Sequence, residues 1–277
     1  MRPVTAATAL YGVAGDPIAH SLSPALHNAA FEAMGIDAVS VALRAGAVDA
    51  QLVVGAVRTL GIHGLSVTMP LKVAVVEHCE HRTATVERLG ASNCLVHEET
   101  SGVLAASTDG AGLLGAVSCV TGETVATKRC AVLGAGGAAL AVIDALASAG
   151  AAEVIVVSRR AGAAARALAL APCVREGAPG EAATADLVIQ ATPVGMVGTD
   201  AQESDPLLDP GLLRAGQIAV DLVYHPLVTP WLAQAASSGA RTVGGIEVLI
   251  HQAAGALELW LGTAPPAAAL HAAVPTS

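Results

Sequence analysis

Cys130-Ala131-Val132-Leu133-Gly134-Ala135-Gly136-Gly137-Ala138-Ala139-Leu140-Ala141-Val142-Ile143 is the stretch that decides the fold. A short apolar run stops at Gly134, three glycines fall within four residues, and an alanine-rich apolar pattern resumes. That is the pattern of a buried parallel strand turning tightly into a helix. Gly134 permits the turn, and Gly136 lets the main chain approach a pyrophosphate. Ala139, where a third glycine often sits, is small enough for close helix–strand packing. The helix that begins here aims free N–H groups and its positive dipole end at a phosphate. A second run, Val154-Ile155-Val156-Val157, follows Gly150 and is closed by Ser158-Arg159-Arg160, which is the spacing of a βαβ unit. Glycine at such a turn can serve packing alone. Strand, helix and second strand together point to a dinucleotide site at Gly134, Ala135, Gly136, Gly137 and Ala138.

The chain has 277 residues, enough for two domains. Its 53 % hydrophobic content approaches that of a membrane protein, but alanine supplies much of it, and charge, proline or glycine breaks the long apolar runs. Ile246 to Leu261 carries Glu247, His251 and Glu258, which disqualifies it as a spanning helix. Thr5 to Val13 is short and runs into Gly15-Asp16-Pro17 without a cleavage site, so it reads as a first strand and not a signal peptide. A net charge of −9 and few aromatic residues argue against a nucleic-acid surface. The five cysteines include no Cys-x-x-Cys pair and read as reduced, mostly buried thiols of a cytoplasmic protein. His78 and His81 are three apart, yet zinc wants three or four convergent ligands; a solvated helix face is the expectation, and no metal site is predicted.

Outward from the glycine turn, strands and helices alternate throughout, predicting an α/β protein of two layered domains. Leu10 to Val13 reads as a strand. Ser23 before Pro24 reads as the N-cap of a helix that stops at Gly35. Ser21 and Ser23 have two readings: capping alone, or hydroxyls that hold a carboxylate beside free helix N–H groups. A strand around Ala38–Leu43 precedes a helix from about Asp49 to Leu60. Leu65 to Thr68 is a strand, and Pro70 opens a helix that places Lys72 in a first turn, where the dipole disfavours a cation. Blind to everything else, Lys72 is a surface lysine. Asn93 stands where the next strand begins, Val103 to Ala106 is its hairpin partner, and Asp109 reads as the cap of the helix Ala111–Val117. Beyond Arg160 an alanine-rich helix is expected to about Leu170. Strands follow at Asp186–Gln190, Ile218–Val223 and Thr242-Val243, with a helix after Thr229-Pro230-Trp231 and a closing helix Ile246–Leu261.

Eight ordered motifs, taken together, resemble the shikimate dehydrogenase family over nearly the whole chain. They are Gly15-Asp16-Pro17-Ile18-Ala19-His20-Ser21-Leu22-Ser23-Pro24, Ser66-Val67-Thr68-Met69-Pro70-Leu71-Lys72, Gly90-Ala91-Ser92-Asn93 and Ser107-Thr108-Asp109-Gly110. Then come Gly134-Ala135-Gly136-Gly137-Ala138, Ala191-Thr192-Pro193-Val194-Gly195-Met196, Asp221-Leu222-Val223-Tyr224-His225-Pro226 and Gln252-Ala253-Ala254. The resemblance implies Lys72 and Asp109 as the catalytic pair. It implies Ser21, Ser23 and Tyr224 on the substrate carboxylate, and Thr68, Asn93 and Gln252 on the ring hydroxyls. Thr192, Leu222 and Gly245 are implied as further cofactor contacts. The expected activity is the reversible NADPH-linked reduction of 3-dehydroshikimate to shikimate, with Lys72 as proton donor and acceptor.

The residues also speak to the cofactor. NAD sites place an acid at the end of the second strand, whereas here Ser158, Arg159 and Arg160 offer cations to the 2′-phosphate of NADP. A pair of solvated loop arginines is the alternative. Family members that prefer NADP carry a second basic residue where this chain has Ala163. Ser107 stands where the family commonly has Asn, Leu22 replaces a frequent lysine, and Glu247 replaces a small residue. These departures point to the rival activity, a quinate/shikimate or related ring-acid dehydrogenase with different cofactor choice. A non-catalytic NADP-sensing module would need neither Lys72 nor Asp109. The expected organisation is a substrate domain at 1–109, an NADP-binding Rossmann domain at 110–244, and a helical segment at 245–277 returning to the first, with substrate in the cleft between domains. The expected partner is a small-molecule substrate, with no nucleic acid or membrane, for a monomer or homodimer.

Overall fold

A computed structural model describes residues 3–199 and 201–275, which group into two compact units. One runs from the N-terminus to Thr108 and resumes at Gln252; the other is Asp109–His251. In the first, β1 (Ala9–Gly15), α1 (Ser23–Met34), β2 (Ala38–Arg44), α2 (Ala50–Thr59) and β3 (Ile62–Val67) are followed by α3 (Leu71–Ala74), β4 (His81–Arg82), α4 (Ala84–Leu89), β5 (Cys94–Glu98) and β6 (Gly102–Ala106). Among the described residues the strands form one sheet in the order β2-β1-β3-β5-β6-β4. β1 is parallel to β2 and β3, while β5 is antiparallel to both β3 and β6.

Two different chemistries bury this unit's interior. In one region Val54 and Val57 of α2, with Leu71, Val75 and Val86 beyond it, pack aliphatic groups against Leu65, Leu95 and Val103. Elsewhere in the unit the few aromatic rings collect. Tyr11 lies 4.9 Å from Phe31 and 5.4 Å from Trp260, measured between ring centroids. Trp260 donates its Nε1–H to the Leu95 carbonyl at 3.0 Å and fits over Gly64, where an added Cβ would fall 2.4 Å from the indole. His27 is sealed beside it, with Nδ1 2.9 Å from Ser40 Oγ, and burial lowers its pKa to about 3. The edge strand β2 is stoppered at Ser40. Asn28 donates to the Ser40 carbonyl at 2.9 Å and accepts its N–H at 2.8 Å, taking the place of another strand.

The second unit contains α5 (Asp109–Thr121), β7 (Arg129–Leu133), α6 (Gly137–Ser148), β8 (Glu153–Val157), α7 (Ala165–Leu168) and β9 (Val174–Glu176). It continues through α8 (Pro179–Ala182), β10 (Leu187–Gln190), β11 (Ile218–Asp221), α9 (Pro230–Ser237) and β12 (Arg241–Val243). Its sheet has the order β12-β11-β10-β7-β8-β9, with each pairing parallel. The chain therefore winds outward from β7 to one side and then from β10 to the other, the doubly wound arrangement. Burial on both faces explains the unbroken apolar runs of β8, β10 and β11. α10 (Gly245–Leu261) begins in this unit and continues in the first, where α11 (Ala267–Ala272) follows.

Several local expectations need correction. The helix after Arg160 is only Ala165–Leu168, and the alanine-rich segment goes on to β9 and α8. Alanine has high helix propensity but little surface to bury, so short elements fixed by tertiary packing replace one long helix. Ser23 is the first helical residue and not the cap; Leu22 holds the cap position without a side-chain bond. Asp109 likewise opens α5 from within. Pro70 sits at the cap position of a four-residue α3, after a cis Met69–Pro70 bond. His78 and His81 share no helix face, because His81 lies in β4 with Nε2 3.1 Å from the Ser101 carbonyl. Among the described residues no helix is long and apolar enough to cross a membrane.

Candidate active site

The first unit gathers its polar groups at the carboxyl end of β3. Gly15 ends β1 where an added Cβ would lie 2.4 Å from Thr68 Cγ2 and 2.7 Å from the Met69 carbonyl, so only glycine fits. Asp16 N–H donates to Met69 O at 2.9 Å and Thr68 N–H to Ala14 O at 2.9 Å, stitching the start of the serine loop to Thr68. Within that loop Ser21 Oγ accepts the Ser23 N–H at 3.3 Å, a local turn bond in place of the expected cap. The Thr68 carbonyl accepts from Leu71 N–H, the Lys72 carbonyl from Ser92 N–H at 2.8 Å, and the Asn93 carbonyl from Val67 N–H at 2.8 Å. Thr68 and Lys72 thus share one main-chain scaffold with Asn93, which lies well beyond them in sequence. Lys72 is half-buried, not a fully solvated surface lysine.

Asn93 is held more firmly still. At 2 % exposure it donates Nδ2–H to Thr108 Oγ1 at 2.9 Å and accepts Thr108 N–H on Oδ1 at 2.7 Å. The main-chain donor fixes which end of the amide is oxygen. Asp109 is the next residue in the chain. Gly255, one turn beyond Gln252 on α10, faces Thr108, with an added Cβ 3.5 Å from its side chain. Gln252 belongs to that same helix face. Thr108 was invisible as a functional candidate because its hydroxyl resembles any other helix-start threonine.

In the second unit the glycines divide by role. Gly134 has φ +124°, and an added Cβ would meet the Ala191 carbonyl at 3.0 Å, at the point where the strand order reverses. Gly136 and Gly137 are different. Neither has a positive φ, and nothing lies within 4 Å of a Cβ added at either. Neither backbone nor packing requires them to be glycine. The open space, the uncapped start of α6 at Gly136, and the adjoining Ala138 fit a pyrophosphate approaching the main chain. Ala139 is fully buried, as close helix–strand packing demands.

At the end of β8, Ser158 Oγ donates to the Arg160 carbonyl at 3.2 Å and stands 3.5 Å from Glu176 Oε1 of β9. The acid expected to be missing from this strand end is supplied by its neighbour, which sequence order concealed. Arg159 and Arg160 are exposed, with no ion pair to any described residue. Further along, Thr192 N–H and hydroxyl both donate to the buried Gln190 Oε1, at 3.0 and 2.7 Å. Leu222 N–H donates to Gln190 O at 3.0 Å. A Cβ added at Gly245 would lie 2.5 Å from the Val223 carbonyl, which explains the glycine there. Tyr224 is partly buried, and desolvation raises its phenol pKa. Asp221 and Thr229 are completely buried behind this segment. Their importance escaped the sequence, although an acid ending a buried apolar strand was a visible signal.

Residues 13–95 match the shikimate dehydrogenase substrate binding domain, 124–201 a putative NAD(P)-binding domain, and 245–274 the shikimate 5′-dehydrogenase C-terminal domain. A relative from Moorella thermoacetica, shikimate dehydrogenase (NADP(+)), is 38 % identical over 281 residues, covering 98 % of this chain and 94 % of the relative. The chain belongs to the shikimate dehydrogenase family. Among solved structures of this build, shikimate 5-dehydrogenase from Thermus thermophilus, in complex with NADP(H) and shikimate, superposes with a TM-score of 0.86 at 34 % identity, covering 96 % of this chain and 98 % of that one. Quinate dehydrogenase from Corynebacterium glutamicum, in complex with NAD, gives 0.84 at 27 % identity over 96 % and 98 %. The solved relatives of this fold thus include a shikimate and a quinate dehydrogenase, one in complex with NADP(H) and the other with NAD.

Proposed function

We propose that this shikimate dehydrogenase family member reversibly reduces 3-dehydroshikimate to shikimate with NADPH. The observation that supports the reading is the scaffold at the end of β3, whose main-chain bonds tie Thr68, Lys72 and Asn93 to the start of the serine loop and whose Asn93 amide is oriented by Thr108. A cyclic polyol acid needs several such groups to fix one reactive hydroxyl. Ser21, Ser23 and Tyr224 hold its carboxylate, and Thr68, Asn93 and Gln252 its ring hydroxyls. In the oxidation, Lys72 Nζ takes the hydroxyl proton as hydride departs, and in the reduction it returns that proton; the Asp109 carboxylate balances its charge. When bound, NADP supplies the nicotinamide carbon that accepts or gives the hydride. The segment Gly134–Ala138 receives its pyrophosphate, Ser158, Arg159 and Arg160 its 2′-phosphate, and Thr192, Leu222 and Gly245 complete the site. The five cysteines are thiols, three of them buried, which suits a cytoplasmic setting.

One observation favours a second reading. Glu176 beside Ser158 is a carboxylate able to accept ribose hydroxyls, the device of NAD enzymes, which suits a quinate or shikimate dehydrogenase that uses NAD. Initial rates of nicotinamide reduction with shikimate and with quinate, each with NADP and with NAD, separate the two. Turnover dominated by shikimate with NADP is expected. Preference for quinate or NAD transfers the assignment to the second reading, and tight NADP binding without turnover of any ring acid would leave only a sensor.

A further inference from the structure

β10 and β11 end alike. Gln190 and Asp221 are register partners, both fully buried, and each folds its side chain forward to accept the main-chain N–H two residues on. The Asp221 arrangement goes further. Oδ1 accepts Val223 N–H at 3.0 Å, while Oδ2 accepts the Thr229 hydroxyl at 2.5 Å. Thr229 Oγ1 in turn accepts Leu232 N–H at 3.1 Å, as the N-cap of α9. A carboxyl group buried this completely is unfavourable unless its oxygens are engaged. Here one oxygen serves the turn and the other a helix anchored by the buried Trp231 and Leu232. The segment between them, Leu222-Val223-Tyr224, is closed on its far side by the Cβ-less Gly245.

We infer that Asp221 is a positioning residue whose carboxyl group, braced by Thr229, fixes the Leu222–Tyr224 turn so that the Tyr224 hydroxyl is held for the substrate carboxylate. The inference rests on the substrate role proposed for Tyr224. It predicts coupling between two residues that act on one ligand group. Asp221→Ala raises KM for shikimate about tenfold with kcat changed less than about threefold, the loss of one charge-assisted hydrogen bond realised in binding. Tyr224→Phe raises KM likewise, and the double variant is no worse than the poorer single. Asp221→Asn, which keeps an acceptor for Val223 N–H, recovers most of the loss.

Hydrogen exchange of a peptide covering 222–226 is read in parallel on the same full-length proteins. Exchange there is faster in Asp221→Ala than in Asp221→Asn if the side-chain acceptor holds the turn. Multiplicative KM effects in the double variant, or an Asn variant as impaired as Ala, would overturn the inference. Should Asp221→Ala fail to fold, Thr229→Val replaces it in the cycle with Tyr224→Phe, and the same non-multiplicative outcome is required. A wild type inactive on shikimate but showing the expected exchange contrast removes the functional reading and leaves the brace standing. Equal exchange in the two variants removes the brace.

Discussion

The second sheet shapes its working end largely by omission, the first by addition. Beyond β7 and at Gly245 the main chain is exposed or closely approached because side chains are absent. At the end of β3, by contrast, hydroxyl, amine and amide groups are present and held by main-chain bonds and by the Asn93–Thr108 pair. The difference follows from the two kinds of ligand. A pyrophosphate is bound by peptide N–H groups and a helix dipole, so what matters is access. A ring acid is distinguished by the placing of its hydroxyls, so what matters is orientation. Substitutions at the end of β3 should therefore impair the chemistry, and those in the glycine turn after β7 the binding of cofactor.

The largest expected effect is Lys72→Ala. Loss of the group that moves the hydroxyl proton lowers kcat by about a thousandfold, within the range for general acid–base catalysis. NADP affinity and Tm stay near wild type, because the side chain is only half-buried and the Lys72 carbonyl still accepts Ser92 N–H. Steady-state rates, NADP titration of the intrinsic tryptophan fluorescence and a thermal melt check the three parts. A parallel fall in NADP affinity breaks the separation.

Next come two glycines only two positions apart. Gly134→Ala forces a Cβ onto φ +124° and to 3.0 Å from Ala191 O, so it destabilises the fold by about 1–3 kcal/mol. Gly136→Ala meets no atom of the protein and leaves stability within about 0.5 kcal/mol, yet weakens NADP binding about tenfold or more by intruding on the pyrophosphate. Denaturant melts and NADP titration distinguish the pair. If Gly136→Ala binds NADP as well as wild type, the open space serves something else.

The same contrast governs how much of the molecule is legible in its residues. The second sheet is legible because parallel strands buried on both faces leave unbroken apolar runs, and because Gly134 and Gly136 announce a turn with a ligand. In the first unit, periodicity locates the strands, but the roles of Lys72, Asn93 and Gln252 come from motif resemblance. No local pattern can show that Lys72 and Asn93 are joined through Ser92. Thr108, Glu176 and Thr229 escape for one physical reason: each matters through a partner that chain order does not reveal. Glu176 reaches Ser158 only because β9 lies beside β8. The alanine-rich segment misleads differently, since composition without period cannot say where a helix stops.

The smallest expected effect tests whether addition and omission meet in the second sheet, where Asp221 is an added polar group behind a loop. Burial pushes its pKa from an ordinary 3.8 up to about 6, against the pull of the hydrogen bonds from Thr229 and Val223. The sign follows from the unfolded chain ionising first. Below about pH 4 the carboxyl is neutral in both states; between about 4 and 6 it ionises only when unfolded, so folding loses stability as pH rises. Above about 6 the loss is constant, at most about 3 kcal/mol. Asp221→Asn cannot ionise and escapes that loss, though it forfeits the second acceptor to Thr229. The Tm of Asp221→Asn should therefore gain on wild type by a few degrees between pH 4.5 and 7, then run parallel above. A difference that does not change with pH would mean that Thr229 and Val223 compensate the buried charge fully. The carboxylate would then cost the fold nothing, and the contrast between the two sheets would lie in access alone.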